Sequence, residues 1–499
     1  MNKILFALFW FFCLKVGAAP CIVKNSQGQV SKKQYDALFL ELTEAQACPQ
    51  NVEQLSELIK DDPNSIDTFM VANRGRRNPA LGSFSFFEMT TKTILVDGQS
   101  FTSEIFFGHF SHRVDGEILL DQSPSYKKLV IEAISFDIKK EVYNFYELIG
   151  LGDRAQWYYR GDSLDALLDN EFLYRQVPKE SRKFGIRMRC SACHNSGGPI
   201  MKEIDAPYND WWTEKKQLIF APNALSAKIQ QKVDRLKDAG FLAQEVIKAN
   251  EKLLSSKKYI EARARLSLPE QLRPLFCTSE INLRSSQFGI FDQVDEIFLP
   301  LDFFSSELIE KFSLSFSASM YKVYLKKYNL FFPETNLQDA DHMWLTPVKS
   351  FVEKFIIENL VKNKIISLKH VKDILMFDFK NPVLSDERCQ LLRFVPDDNG
   401  QDWMSNFINN LHLSGVEKFT QLAKILSDEK SFEKFHRQNI DNYRIELMDN
   451  DNFETHFQKL LELRQKVFSS ELSKNPLGQI LEPGFRVIFP LEQEFPHKI

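Results

Sequence analysis

Beyond its first twenty residues the chain has no apolar run approaching the roughly 18 residues that a membrane-crossing helix needs, so no transmembrane anchor is expected. It has no internal repeat and no low-complexity segment, which sets aside repeat arrays and biased tails. It also lacks a basic surplus. Lysine and arginine number 63 against 67 acidic residues; losing Lys3 and Lys15 with an amino-terminal signal leaves 61 against 67, a formal charge of −6. Such mild acidity argues against nucleic acid as a partner. Cysteine is sparse, at seven residues, and no second Cys-x-x-Cys, Cys-x-x-His or His-x-x-x-His pair lies near the one Cys-x-x-Cys. A structural zinc wants four ligands at recognisable spacing, so a zinc site is disfavoured. A thioredoxin-like dithiol would follow a strand in a βαβ pattern, and that context is also missing.

What is present begins with an export signal. Lys3 opens a short basic region, Ile4 to Leu14 is unbroken apolar sequence, and Val16-Gly-Ala-Ala19 supplies small residues for a signal peptidase. Eleven apolar residues are too few to span a bilayer. Residues 1–19 therefore read as the signal-peptide region, with cleavage after Ala18 favoured within it because a cut after Ala19 would leave Pro20 first. Pro20 also argues against a lipid anchor on Cys21, where a small residue should precede. The expectation is an exported protein, periplasmic or secreted, in a compartment where disulfides persist.

The informative element is Cys190-Ser-Ala-Cys193-His194. In an exported chain a Cys-x-x-Cys-His run is the attachment site of a c-type haem: two thiols add across the vinyl groups as thioethers and the adjoining imidazole becomes an axial iron ligand. On a helix, Cys190 and Cys193 would lie at i and i+3 on one face, both in reach of one porphyrin edge. From this composition the motif should arise by chance about 0.002 times, so the match is specific.

Around it, the turn Gly197-Gly-Pro-Ile200 offers backbone carbonyls to the second nitrogen of His194, since a ligating imidazole normally donates that N–H to a fixed acceptor. An ordinary helix stop explains the same residues equally well. Arg182, Lys183, Arg187 and Arg189 form a local basic patch suited to haem propionates, to a redox partner, or simply to a solvated helix face. For the sixth iron ligand Met201 is the first candidate, seven residues past His194 and thus within about 23 Å of extended chain. Met89, Met320, Met343, His109 and His112 are alternatives. His109 and His112 would fall on opposite faces of a strand, which disfavours a joint metal site. Trp211-Trp212 could wall a haem pocket or simply fill the core.

The segment from Cys190 to His194 with the following Gly197-Gly-Pro-Ile-Met201 resembles the haem-binding region of cytochrome c domain proteins. That resemblance covers some 30 to 60 residues. It implies one covalently attached haem c, Cys190 and Cys193 as the thioether sites, His194 as proximal ligand and Met201 as distal ligand. It departs from small class I cytochromes, whose ligand methionine lies several tens of residues further on. Larger exported bacterial proteins with one such motif, a β-rich front half and a helical tail are a closer likeness.

Roughly 480 residues remain after the signal, whereas a haem module of this type needs on the order of 100. The 44 phenylalanines read as a Phe-rich core. Val52, Leu55, Leu58 and Ile59 fit one helical face in a lead-in. From about Ala80 to Arg160 the period changes to that of strands, with Asp97-Gly98 and Asp115-Gly116 as turns. Asp162-Ser163 can cap a helix. Asn223 to Leu268 has helical spacing, and Thr346-Pro347 reads as a helix start ahead of Val348, Phe351, Val352, Phe355 and Ile356. The expected class is α+β: a β-rich domain with helical lead-in (20–160), a cytochrome c-like haem segment (161–299) and a helical carboxy-terminal domain (300–499). Cys21, Cys48, Cys277 and Cys389 allow three pairings; Cys21 with Cys48 and Cys277 with Cys389 is favoured, because each pair stays within one region.

Three functions fit these residues. They are single-electron transfer with a redox partner protein, a haem enzyme with an open iron position, and a sensor or interaction protein. Di-haem peroxidases would carry two attachment motifs, and this chain has one.

Overall fold

The computed structural model describes residues 20–61, 65–72, 84–114, 117–120, 129–168, 194, 196–201, 204, 211–214, 227–278, 281–285, 296–299, 308–309, 314–328, 331–332, 337–338, 345–383, 385–397 and 402–459. The proposed signal segment 1–19 and the Asp115-Gly116 turn lie outside them.

The architecture is α+β. Strands β1 (Asp67–Ala72), β2 (Phe84–Val96), β3 (Gln99–Val114), β4 (Glu117–Leu120), β5 (Leu129–Asp137), β6 (Val142–Gly150) and β7 (Ala155–Asp162) form one antiparallel sheet. Its order is β1-β2-β3-β5-β6-β7, with β4 paired to β3. Asp97 and Gly98 take φ of 53° and 80° between Val96 and Gln99, the positive values that a two-residue hairpin of the type I′ class requires.

Neither face of the sheet is left to solvent. Ile105, Phe107, Ala133, Tyr146 and Leu148 point to a core shared with helices α1 (Ala37–Glu44) and α2 (Val52–Ile59), through Leu38, Leu42, Val52, Leu55 and Ile59. Trp157 is fully buried there and donates its Nε1 to Pro49 O at 3.0 Å. The alternate residues Phe106, Ile134, Phe136, Tyr143 and Phe145 enter a second core. Strands buried on both faces lose the simple apolar–polar alternation, and β6 accordingly reads as almost continuously apolar.

The second core runs without a break into the helices. It takes in residues of α3 (163–168), of α5 (Ala239–Leu254), which follows α4 (Ala227–Val233) and packs on α6 (Lys257–Ala264), then of α7 (Leu268–Phe276) and the later helices from Phe351 onward. Disulfides join Cys21 to Cys48 and Cys277 to Cys389, the favoured pairing. The second ties the end of α7 to the helical region across 112 residues of chain. No helix among the described residues is long and apolar enough to cross a membrane.

One reading of the sequence is corrected. Thr346-Pro347 does not start a helix: Leu345–Lys349 is a strand paired with Ile281–Ser285, where Pro347 sits opposite Leu283 in a two-stranded ladder that tolerates proline. The helix begins at Phe351, capped by Ser350, whose Oγ accepts from Glu353 N at 3.1 Å. Short two-stranded ladders also occupy parts of 281–349, so the helical region begins in earnest at Phe351.

The first core holds a buried acid that makes stability depend on pH. Asp36 caps α1, accepting from Phe39 N at 2.9 Å, and takes further bonds from Tyr146 Oη and Asn144 Nδ2, both at 2.6 Å. Burial outweighs these bonds and pushes its carboxyl up to about 6, with Asp137 adding to the rise. The folded state thus holds this proton to higher pH than the unfolded chain does. Its stabilising contribution, on the order of 3 kcal/mol, is complete below about pH 4 and is lost as pH rises through about 6. Urea unfolding from pH 4 to 7 should show Asp36→Asn gaining on the wild type as pH rises. A constant difference across that range would mean that Asp36 titrates like an exposed acid.

Candidate functional site

The first half of β6 and the chain after His194 meet on the helical side of the sheet. Gly197 adopts φ +81° and donates its N–H to His194 O at 3.0 Å, closing a tight turn that glycine enters without a Cβ penalty. The turn carries the Gly198 carbonyl to His194, whose Nδ1 lies 2.8 Å from that oxygen. A carbonyl only accepts, so Nδ1 bears the proton and Nε2 the lone pair. Nε2 takes no hydrogen bond among the described residues. Burial pushes the His194 imidazole down to about 4, while the bond to Gly198 pulls the other way, and the ring is neutral near pH 7. Phe145 packs on it with ring centroids 5.2 Å apart.

The turn is held from three directions. A β-bulge between Phe145 and Tyr146 sets Phe145 opposite Gly161 and Tyr146 opposite Tyr159. The chain then turns directly into α3, whose first residues are capped by Asp162 Oδ1, accepting from Leu164 N at 3.0 Å and Asp165 N at 3.2 Å. That geometry aims Ser163 Oγ at Gly197 O, 2.7 Å away, while Oγ also accepts from Tyr143 N at 2.9 Å. Tyr259 on α6 donates to Ser196 O at 2.8 Å. Asn250 on α5 donates to Pro199 O at 2.8 Å and to Val246 O, one helical turn back, at 2.8 Å.

Three polar atoms facing this core are buried without a partner: Tyr143 Oη, Trp211 Nε1 and Asn250 Oδ1. Each such atom costs about 1–3 kcal/mol unless something pairs with it. Two of them, Tyr143 Oη and Trp211 Nε1, are able to donate. With a neutral imidazole whose Nδ1 is occupied and whose Nε2 bears a lone pair, these residues fit a c-type haem. Cys190 and Cys193 lie outside the described residues, as do Arg182, Lys183, Arg187 and Arg189.

The candidate sixth ligands separate in space. Met201 is 3% exposed and belongs to the same core cluster as Phe145. Met89 is also a core residue, Met320 is half-buried at the start of the helix Ala318–Tyr328, and Met343 lies outside the described residues. His109 is committed elsewhere: its Nε2 donates to Glu88 Oε1 at 2.8 Å, and Lys232 of α4 pairs with the same carboxylate. Burial would raise Glu88, but Lys232 and His109 hold it at about 2; His109 itself is lowered, chiefly by burial. His112 lies three residues further along β3, paired in the backbone ladder with Leu119. Trp211 is in the core against Phe87, ring centroids 5.3 Å apart. Among the described residues no group of three or more His, Cys, Asp and Glu gathers as a metal site.

Reading the sequence missed Ser163, except as a helix cap, and missed Asn250, Tyr259 and Phe145 altogether. Asn250 left one faint signal, a short amide among apolar residues in a helix interior, where such side chains are disfavoured. No protein-family model, curated protein or solved structure matches this chain.

Proposed function

We propose that this chain is an exported, periplasmic mono-haem c-type cytochrome that exchanges single electrons with a redox partner protein. The observation that carries the reading is the state of His194. The last residue of a Cys-x-x-Cys-His element in an export-signal-bearing chain has Nδ1 tied to a backbone carbonyl and Nε2 carrying its lone pair. In this reading Cys190 and Cys193 tether the haem, His194 Nε2 is the proximal ligand, and Met201 is the distal one.

When bound, the haem supplies a one-electron couple between ferric and ferrous iron. The chain's residues do the rest. The Gly198 carbonyl draws on the Nδ1 proton and so makes Nε2 a stronger donor. Phe145, packed on the ring, limits rotation of the imidazole. If His194 and Met201 both held the iron, no position would be left for an exogenous ligand, which suits electron transfer and does not suit oxygen chemistry.

The test is the absorption spectrum of protein matured with covalent haem, with and without carbon monoxide or cyanide. A low-spin spectrum unmoved by either ligand is expected; a high-spin ferric spectrum with rapid ligand binding would sink electron transfer as the function. Met201→Leu separates ligation from packing, because a Leu-for-Met exchange in a core costs less than about 1.5 kcal/mol while removing the sulfur. The variant should unfold near the wild-type temperature yet turn high-spin and bind cyanide. A spectrum like that of the wild type would reduce Met201 to core packing.

A further inference from the structure

We propose that Ser163, Asn250 and Tyr259 are positioning residues that fix the tautomer and ring orientation of His194 before any haem is present. The consequence at iron rests on the haem reading above; the tautomer itself does not.

Four successive carbonyls, those of residues 196 to 199, each accept one side-chain hydrogen bond. Tyr259 takes the first at 2.8 Å, Ser163 the second at 2.7 Å, His194 the third at 2.8 Å and Asn250 the fourth at 2.8 Å. The three donors other than His194 come from three separate helices. Closing the turn needs none of them, because the backbone bond from Gly197 N to His194 O already does so. What they add is orientation. The peptide plane that contains the Gly198 carbonyl lies between two planes whose carbonyls are held by Ser163 and Asn250, and the ring of Pro199 fixes the intervening φ near −65°. Two adjacent glycines would otherwise give this stretch the widest backbone freedom in the chain. Pinned on both sides, the Gly198 oxygen stays aimed at Nδ1.

Asn250 is placed at a disadvantage that packing does not explain. It stands in the interior of α5, 2% exposed, with Oδ1 unpartnered, where a leucine would bury apolar surface without that orphaned oxygen but would leave Pro199 O without its donor. Its amide is used on Pro199 O and Val246 O. Gly198 is matched to it, since a Cβ there would overlap Asn250 Oδ1. Helix α5 and the turn are therefore built for each other at this point.

The experiment uses full-length Cys190→Ala/Cys193→Ala protein, haem-free and labelled with ¹⁵N-histidine, with the His194 tautomer read from long-range ¹H–¹⁵N couplings. Ser163→Ala and Tyr259→Phe are introduced into the same background, with Leu411→Ala, a fully buried position in the helix Trp403–Leu413 that makes no bond to the turn, as a control for lost stability. The expected result is a single Nδ1–H tautomer in the parent and the control, and a mixture containing Nε2–H in Ser163→Ala and Tyr259→Phe. In haem-loaded protein with both cysteines restored, the same two substitutions should raise the reduction potential, because a weaker Nδ1 bond makes the ligand less electron-donating. An Nε2–H tautomer in the parent would overturn the proposal, as would a tautomer and a potential unmoved in both variants. Should Ser163→Ala fail to fold, Tyr259→Phe, which removes one hydroxyl, decides alone. If haem never attaches to the wild type, the cytochrome reading fails while the tautomer measurement still stands or falls by itself.

Discussion

A Cys190→Ala/Cys193→Ala double variant, produced in a host that matures c-type cytochromes, is expected to accumulate as a full-length protein that no longer stains for haem on a denaturing gel. The whole signal should go, because stain surviving denaturation reports only covalent attachment, and coordination by His194 alone does not outlast unfolding. Each single variant retains one sulfur and should keep reduced staining, with a reduced pyridine haemochrome band displaced from that of the wild type because one vinyl group stays unsaturated. The complementary His194→Ala variant keeps both tethers and loses the proximal ligand, so it should stain while its low-spin spectrum collapses. A haem band that persists in the double variant would remove the central assignment, whatever the spectra of the other proteins.

Gly197→Ala should produce the largest loss of stability of any single methyl addition in the described turns. At φ +81° an L side chain costs about 1–2 kcal/mol in strain alone. Here the added Cβ would also meet Ser163 Cα and Cβ at 2.7 Å and Ser163 O at 2.8 Å. Two of these atoms are backbone, so relief requires α3 to move rather than a side chain to swing aside. Overpacking of this kind adds about 1–3 kcal/mol. The sum, roughly 2–5 kcal/mol in urea unfolding, should come with poor haem incorporation, because displacing Ser163 releases the Gly197 carbonyl beside the His194 acceptor. Gly28 is the control: it has the same φ of +81° and open space around its Cβ position, so Gly28→Ala should show the strain term and little else. Equal losses at the two positions would mean that the contact with Ser163 is relieved easily and that the turn is not rigid.

Much of the fold was legible because its determinants are local. The Asp97-Gly98 hairpin, the cap at Asp162 and the helical spacing of Val52, Leu55 and Ile59 depend on residues within one turn of each other. Thr346-Pro347 misled for the same reason in reverse. A hydroxyl followed by proline is a good helix start in isolation, but pairing with residues 281–285 claimed that stretch for a strand, and the helix moved to the Ser350 cap. The true start, Ser350 with Glu353 three residues on, was equally present in the letters. Only the partner strand, far off in sequence, chose between them.

The Cys190-Ser-Ala-Cys193-His194 element, its single occurrence and the apolar run from Ile4 to Leu14 are properties of the sequence by itself, because each is a short contiguous stretch. The turn after His194 was likewise visible as a source of carbonyls. Which carbonyl accepts from His194, and what holds it, was settled by tertiary structure. Ser163, Asn250 and Tyr259 reach the turn across 34, 51 and 63 residues of chain. Hydrogen bonds of 2.7 to 2.8 Å leave tolerances of a few tenths of an ångström, and only a packed core that fixes three helices against one sheet face can meet them. No spacing rule along the chain encodes that convergence.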